Sequence, residues 1–130
     1  MGSTEYGVKE MGKGLLADRT RAFALATMKL ADKLPRNASG RVIQNQFLRC
    51  GTSVGANYRA AMRGKSPADC VAKLGIVEEE ADESMYWMDL MIDGGLLPVN
   101  EVSELRKEAD EILAMTVASI RTIKSNHRKP

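Results

Sequence analysis

Apolar residues recur along this chain at the helical period almost throughout. Phe23, Thr27, Leu30 and Leu34 follow one another at steps of three and four residues, and Pro35 comes next. Residues at those steps share one side of an α-helix, and proline disfavours helical backbone in the residue before it. The pattern predicts a first helix over roughly Leu16 to Leu34. A second stripe, Ile43, Phe47, Cys50, Val54, Tyr58 and Ala61, predicts a helix from about Arg41 to Arg63. Asn37 or Ser39 would cap its start, and Gly64 stands where a helix commonly ends. Gly51 and Gly55 fall inside this stripe, where each costs up to about 1 kcal/mol relative to alanine. Close approach of a neighbouring helix is the expected compensation.

The third helix has the clearest start. Ser66 is an N-cap, Pro67 suits the first helical position, and Asp69 complements the helix dipole in the first turn. Its stripe runs through Cys70, Leu74, Val77, Ala81, Met85, Met88 and Ile92, and "GGLLP" ends it. A fourth helix starts between Pro98 and Glu101, with Asn100 as a candidate cap. Its stripe is Leu105, Ala109, Ile112, Thr116, Ile120 and Ile123. No strand alternation or internal repeat competes. Four amphipathic helices with short connections predict an all-α fold, an antiparallel up-and-down four-helix bundle. The expected organisation is a flexible N-terminal segment over 1–14, a single four-helix bundle domain over 15–125, and a frayed tail over 126–130.

Composition narrows the class. Hydrophobic residues at 44% and charged residues at 28% describe a folded, soluble domain. No apolar run approaches the roughly 18 residues of a membrane span, so no membrane partner is expected. The first residues lack the apolar core of a secretory signal, and the expected location is cytoplasmic. Cys50 and Cys70 have no metal or redox spacing and are expected as free, buried thiols.

Charge is divided along the chain. Residues 1–75 carry thirteen Lys and Arg against five acids, and residues 76–130 carry six against twelve. Basic and acidic helices could attract each other within the bundle, or the basic half could form a face for nucleic acid. The candidate contacts are Arg19, Arg21, Lys29, Lys33, Arg36, Arg41, Arg59, Arg63 and Lys65. They would touch phosphate rather than read bases, because few aromatic residues are available for stacking.

Catalysis is harder to support. The run "VEEEADES" at 77–84 holds five acids. On a helical wheel Glu79 lies opposite the core stripe, Glu78 and Asp82 lie on one shoulder, and Glu80 and Glu83 lie on the other beside Trp87. A di-iron bundle needs Glu-x-x-His pairs. The one histidine, His127, is in the tail. No nucleophile has a placed base, and no phosphate-binding glycine loop is present. The expectation is a protein without enzymatic activity, metal or cofactor. A polar row on the second helix, Gln46, Arg49, Ser53 and Asn57, would face Glu80, Glu83 and Ser84. The expected result is a structural network of Gln46, Arg49, Asn57, Glu80, Glu83 and Trp87 that fixes register or an interface.

Gln46, Arg49, "TSVGANY" at 52–58, Ser66, Lys73-Leu74, Glu80, Glu83, Ser84 and Trp87 together resemble a known bacterial family. It is called simply four-helix bundle protein. It includes proteins encoded in intervening sequences of 23S ribosomal RNA genes and is related to the accessory variability determinant proteins of diversity-generating retroelements. The resemblance covers about the central 45 residues directly, and the flanking helices fit in spacing. It implies assembly into a homopentamer, a barrel of five bundles, and no catalytic residues. In the retroelement relatives the barrel is strongly basic and binds nucleic acid and a reverse transcriptase, whereas the net charge here is only +2. The expected partners are therefore further copies of itself, structured RNA or DNA, and a reverse transcriptase or other protein.

Overall fold

In a computed structural model the described backbone spans residues 7–128, with side chains from Leu15 to His127. Four helices follow one another: α1 Gly7–Ala31, α2 Ala38–Met62, α3 Pro67–Asp93 and α4 Val99–Arg128. Short connections reverse the chain each time. α1 packs on α2, α2 on α3, α3 on α4 and α4 back on α1, with no close backbone approach across the diagonals among the described residues. This is the up-and-down square bundle that the apolar periods predict.

Local chemistry sets most boundaries. Asn37 caps α2, its side-chain oxygen accepting from Gly40 N at 2.8 Å. Ser66 caps α3 by accepting from Asp69 N at 3.0 Å, with Pro67 at the first helical position. At the far end of α3 the chain turns through Gly95, whose φ of 70° belongs to the left-handed region that favours glycine. Leu96 N then bonds back to Met91 O at 2.9 Å.

Other boundaries differ from the sequence reading. α1 begins at Gly7, so the segment expected to be flexible is helical from there, and residues 1–6 lie outside the described residues. It ends at Ala31, and Leu34 N bonds to Ala31 O in a tighter turn before Pro35. α2 starts at Ala38, directly after its cap and earlier than the expected Arg41; its end agrees with the expectation, Arg63 being the C-cap and Gly64 the first residue beyond it. Asn100 lies inside the first turn of α4 and does not cap it. α4 stays helical through Arg128, into the segment expected to fray; residues 129 and 130 lie outside the described residues.

The core runs along the bundle axis. Phe23, Phe47, Leu74, Met88, Met91 and Ile112 are its largest fully buried side chains. Four expected stripe positions towards the bundle ends, Cys70, Ile92, Ile120 and Ile123, are only half-buried, as is Leu105. Ser84, Met91 and Val102 are buried in addition to the expected stripe. The two glycines of α2 have the expected compensation. A Cβ on Gly51 would lie 2.5 Å from Thr27 Cγ2, and one on Gly55 would lie 3.1 Å from the Thr20 carbonyl oxygen. α1 therefore crosses α2 too closely for larger residues. No helix is long and apolar enough to cross a membrane.

Candidate nucleic-acid interface

The nine candidate bases do not form one surface. Arg19 points to α4. Its Nε donates to Glu108 Oε2 at 2.8 Å, and its Nη2 donates to Glu108 Oε1 at 2.6 Å and Glu111 Oε1 at 2.7 Å. These bonds raise the Arg19 pKa further, Glu108 contributing most. Lys33 pairs with Glu101 at 2.7 Å, and Lys29 lines the same α1–α4 groove beside Glu101 and Glu104. For Arg19 and Lys33, attraction between basic and acidic helices is what the geometry shows.

The other six lie on the α1–α2 side and its two ends. Arg21 and Arg59 line one groove over the close α1–α2 crossing, together with Asp18. Arg36 and Arg41 line a second concavity at the opposite end, together with Asp32 and Gln44. Arg63 and Lys65 are exposed where α2 ends. Among the described residues, none of these six comes within ion-pair distance of an acid.

One signal in the sequence marks this side. Between Asp32 and Asp69 the chain has seven bases and no acid. α2 lies wholly inside that run. Arg41, Asn45, Thr52, Ala56, Arg59 and Arg63 fall at helical steps along its outward side. Arg41, Asn45, Ala56, Arg59 and Arg63 are exposed there. A guanidinium without a carboxylate partner is free to take phosphate oxygens in a bidentate bond.

Arg49 is the exception on α2. It leans to α3, where Nη1 lies 3.3 Å from Glu80 Oε1 and Nη2 donates to Glu83. Gln46 Oε1 accepts from Arg49 Nε at 3.4 Å. Trp87 Nε1 donates to the same Glu83 carboxylate at 3.0 Å. The Trp87 and Arg49 bonds hold the Glu83 carboxyl below the usual range. Tyr86 stands edge-on to Trp87, ring centroids 5.0 Å apart. Five of the six expected network residues are thus brought together. Asn57 is not among them: its Nδ2 donates to Ser53 O at 2.9 Å, within its own helix. The antiparallel register explains this. Opposing Arg49 to Glu83 and Cys50 to Ser84 sets Asn57 about two turns nearer the start of α3.

Of the acids at 78–83, Glu79 and Asp82 are exposed, and Glu78, Glu80 and Glu83 are half-buried. Among the described residues no three His, Cys, Asp or Glu side chains gather in a metal-binding arrangement. Neither cysteine is in a disulfide; Cys50 is buried and Cys70 half-buried. Burial pushes the Cys50 thiol up, away from the reactive thiolate.

With this geometry in view, comparison with known proteins places the chain. The family model described as 23S rRNA-intervening sequence protein matches residues 15–118. The chain belongs to that family. A solved structure from Bacteroides thetaiotaomicron, of a protein with unknown function from the S23 ribosomal protein family, superposes with a TM-score of 0.79. The two chains are 30% identical, over 85% of this chain and 98% of that one. No curated protein matches. The family match covers all of α2 and α3 and most of α1 and α4, including the acid-free α2 and the Arg49–Glu83–Trp87 cluster.

Proposed function

We propose that this protein is a non-enzymatic, oligomeric RNA-associated protein that holds phosphates along its α1–α2 side. The observation that carries this reading is the outward side of α2, where Arg41, Arg59 and Arg63 stand exposed and unpaired on a helix without an acid. A net charge of +2 understates this local field, because the acids are concentrated on α3 and α4. The family's description makes RNA the first nucleic acid to test. Phosphate contacts position a ligand without reading its sequence.

Fluorescence anisotropy with a structured RNA over a salt series tests it. Each phosphate neutralised contributes a slope of roughly −0.7 to −0.9 in log K against log salt. Engagement of Arg21, Arg36, Arg41, Arg59 and Arg63 gives a total of about −4. Absence of binding at low salt would refute the proposal.

The pentameric barrel implied by the resemblance is part of the same reading. Leu25, Met28, Ile76 and Tyr86 support assembly, being large apolar side chains between 40% and 55% exposed. Light scattering should give five times the 14.2 kDa chain mass, and a monomer at micromolar concentration would remove this part. A protein partner, such as a reverse transcriptase, is the second reading. Tyr86, Trp87 and Arg49 favour it, because such side chains dominate binding energy at protein interfaces. Loss of partner capture on Tyr86→Ala, with RNA binding intact, would distinguish it.

A further inference from the structure

We infer that the RNA form this side fits is a duplex, gripped at two separate points; the inference rests on the RNA reading above and specifies its ligand. The first point is Arg36 with Arg41, and the second is Arg59 with Arg63 and Arg21. Arg41 and Arg59 are separated by about 27 Å of helix axis, at about 1.5 Å per residue. Between them the outward stripe carries no base. It holds Asn45, Thr52 and Ala56, while Arg49 is turned away to Glu80 and Glu83.

This spacing is wrong for a single strand. A protein that tracks one strand presents a continuous basic groove and aromatic platforms for successive bases. Here the basic row is interrupted, and the aromatic residues of α2, Phe47 and Tyr58, are buried. A duplex instead brings its backbones back to the same side across each groove and once per turn, about 34 Å in the B form and several Å less in the A form that duplex RNA adopts. Two grips about 27 Å apart fit within that repeat. The wide, shallow minor groove of duplex RNA, lined by 2′-hydroxyls, is recognised by shape and polar contact. A helix side of small and polar residues such as Asn45 and Ala56 can lie along it without clash. Each grip also contains one acid, Asp32 or Asp18, which keeps the local charge modest and makes double engagement necessary for tight binding.

The test is anisotropy on the full chain with four probes. These are a 16-base-pair RNA duplex, a 16-nucleotide oligouridine, a DNA duplex of the same sequence as the RNA, and an RNA hairpin with a five-pair stem. An A-form stem of five pairs covers only about half a turn, too short to reach both grips. The duplex RNA should bind at least tenfold tighter than oligouridine and tighter than the DNA duplex. Arg36→Gln/Arg41→Gln and Arg59→Gln/Arg63→Gln should each weaken duplex binding by about tenfold. Each pair should also lower the salt slope by roughly 1.4 to 1.8. On the hairpin either double variant should cost no more than about twofold, because the remaining grip serves. These arginines are exposed, and an unchanged melting temperature confirms that each variant is folded. Equal or tighter binding of oligouridine overturns the duplex inference and leaves the RNA reading standing. So does an equal loss on hairpin and duplex. Tighter binding of the DNA duplex removes RNA as the ligand, and failure to bind any probe at low salt removes both readings.

Discussion

Replacing Arg49 by alanine isolates the one ion-pair network that joins α2 to α3, and its effect should depend on pH. Arg49 bonds to Glu83 and, at longer range, to Glu80. Its side chain is 48% exposed, and those of Glu83 and Glu80 are 35% and 17% exposed. Exposed pairs contribute about 0.2–1 kcal/mol after solvent screening, and charged hydrogen bonds at less exposed sites about 1.5–3. The geometry lies between the two, so a loss of about 1–1.5 kcal/mol is expected at neutral pH. For a domain of this size that lowers the melting temperature by roughly 3–6 °C. The pH dependence has a definite sign. The folded pKa of Glu83 is depressed, by the Trp87 indole first and Arg49 second. Its contribution is fully present above the unfolded glutamate value of about 4.3 and is lost as pH falls through the lower folded value. Urea unfolding of wild type, Arg49→Ala, Glu83→Gln and the double variant should show a coupling energy at pH 7 that shrinks in acid. Trp87, the only tryptophan, reports the same event, because protonating Glu83 weakens the bond to its indole. A coupling energy of zero at pH 7, or one unchanged in acid, would refute the reasoning.

Three further perturbations follow from the α1 seams. Thr27 Oγ1 is fully buried and makes no hydrogen bond among the described residues, so Thr27→Val should stabilise by about 1–2 kcal/mol in a urea melt. Gly51→Ala gains up to about 1 kcal/mol of helix propensity. It also sets a Cβ 2.5 Å from Thr27 Cγ2, so a net loss of about 1–2 kcal/mol is expected after an overpacking cost of about 1–3. Thr27→Ala in the same chain should recover most of that loss. Arg19→Lys should cost about 1–2 kcal/mol despite keeping the charge, because an ammonium cannot reproduce the forked contact with Glu108 and Glu111; an unchanged melting midpoint would show that the fork contributes nothing.

What the sequence made legible was local or periodic. The start of α3 is written in three neighbouring residues, Ser66, Pro67 and Asp69, and the structure uses all three, as a cap, a first-turn proline and a first-turn acid. Gly51 and Gly55 announced a close crossing because their cost in a helix needed a reason, and Thr27 and Thr20 supply it. The misplaced features needed distances along the bundle. Asn57 shares a helical row with Arg49, but a row does not fix which turn of α3 lies opposite. Arg19 reads as an exposed base until α4, closing the square from the far end of the chain, brings Glu108 and Glu111 to it. The most useful signal was present but diluted. A count of charges over half the chain conceals the acid-free run that becomes α2.

That run also separates two tasks that one small bundle must perform if it both assembles and binds a polyanion. Apolar side chains left on the outside are costly, and a face that meets phosphate must stay polar and wet. The diagonal helices α1 and α3 carry Leu15, Leu25, Met28, Ile76 and Tyr86 outward, and α2 carries Val42 as its exposed large apolar residue. Assembly through α1 and α3 would cover apolar surface on two sides of the square and leave Arg41, Arg59 and Arg63 of the α2 stripe open, with Arg21, at helical steps from Leu25 and Met28, at the edge of the contact. In a ring, each added copy would then repeat the two ends of the α2 arginine stripe at a fixed angle. Affinity for a long duplex would rise through multivalency without any new contact within a subunit. A variant that disrupts assembly while remaining folded, such as Leu25→Glu with Met28→Glu, should therefore weaken binding to a long duplex far more than binding to one spanned by a single subunit. An equal loss on both would place Leu25 and Met28 in the phosphate-binding surface itself.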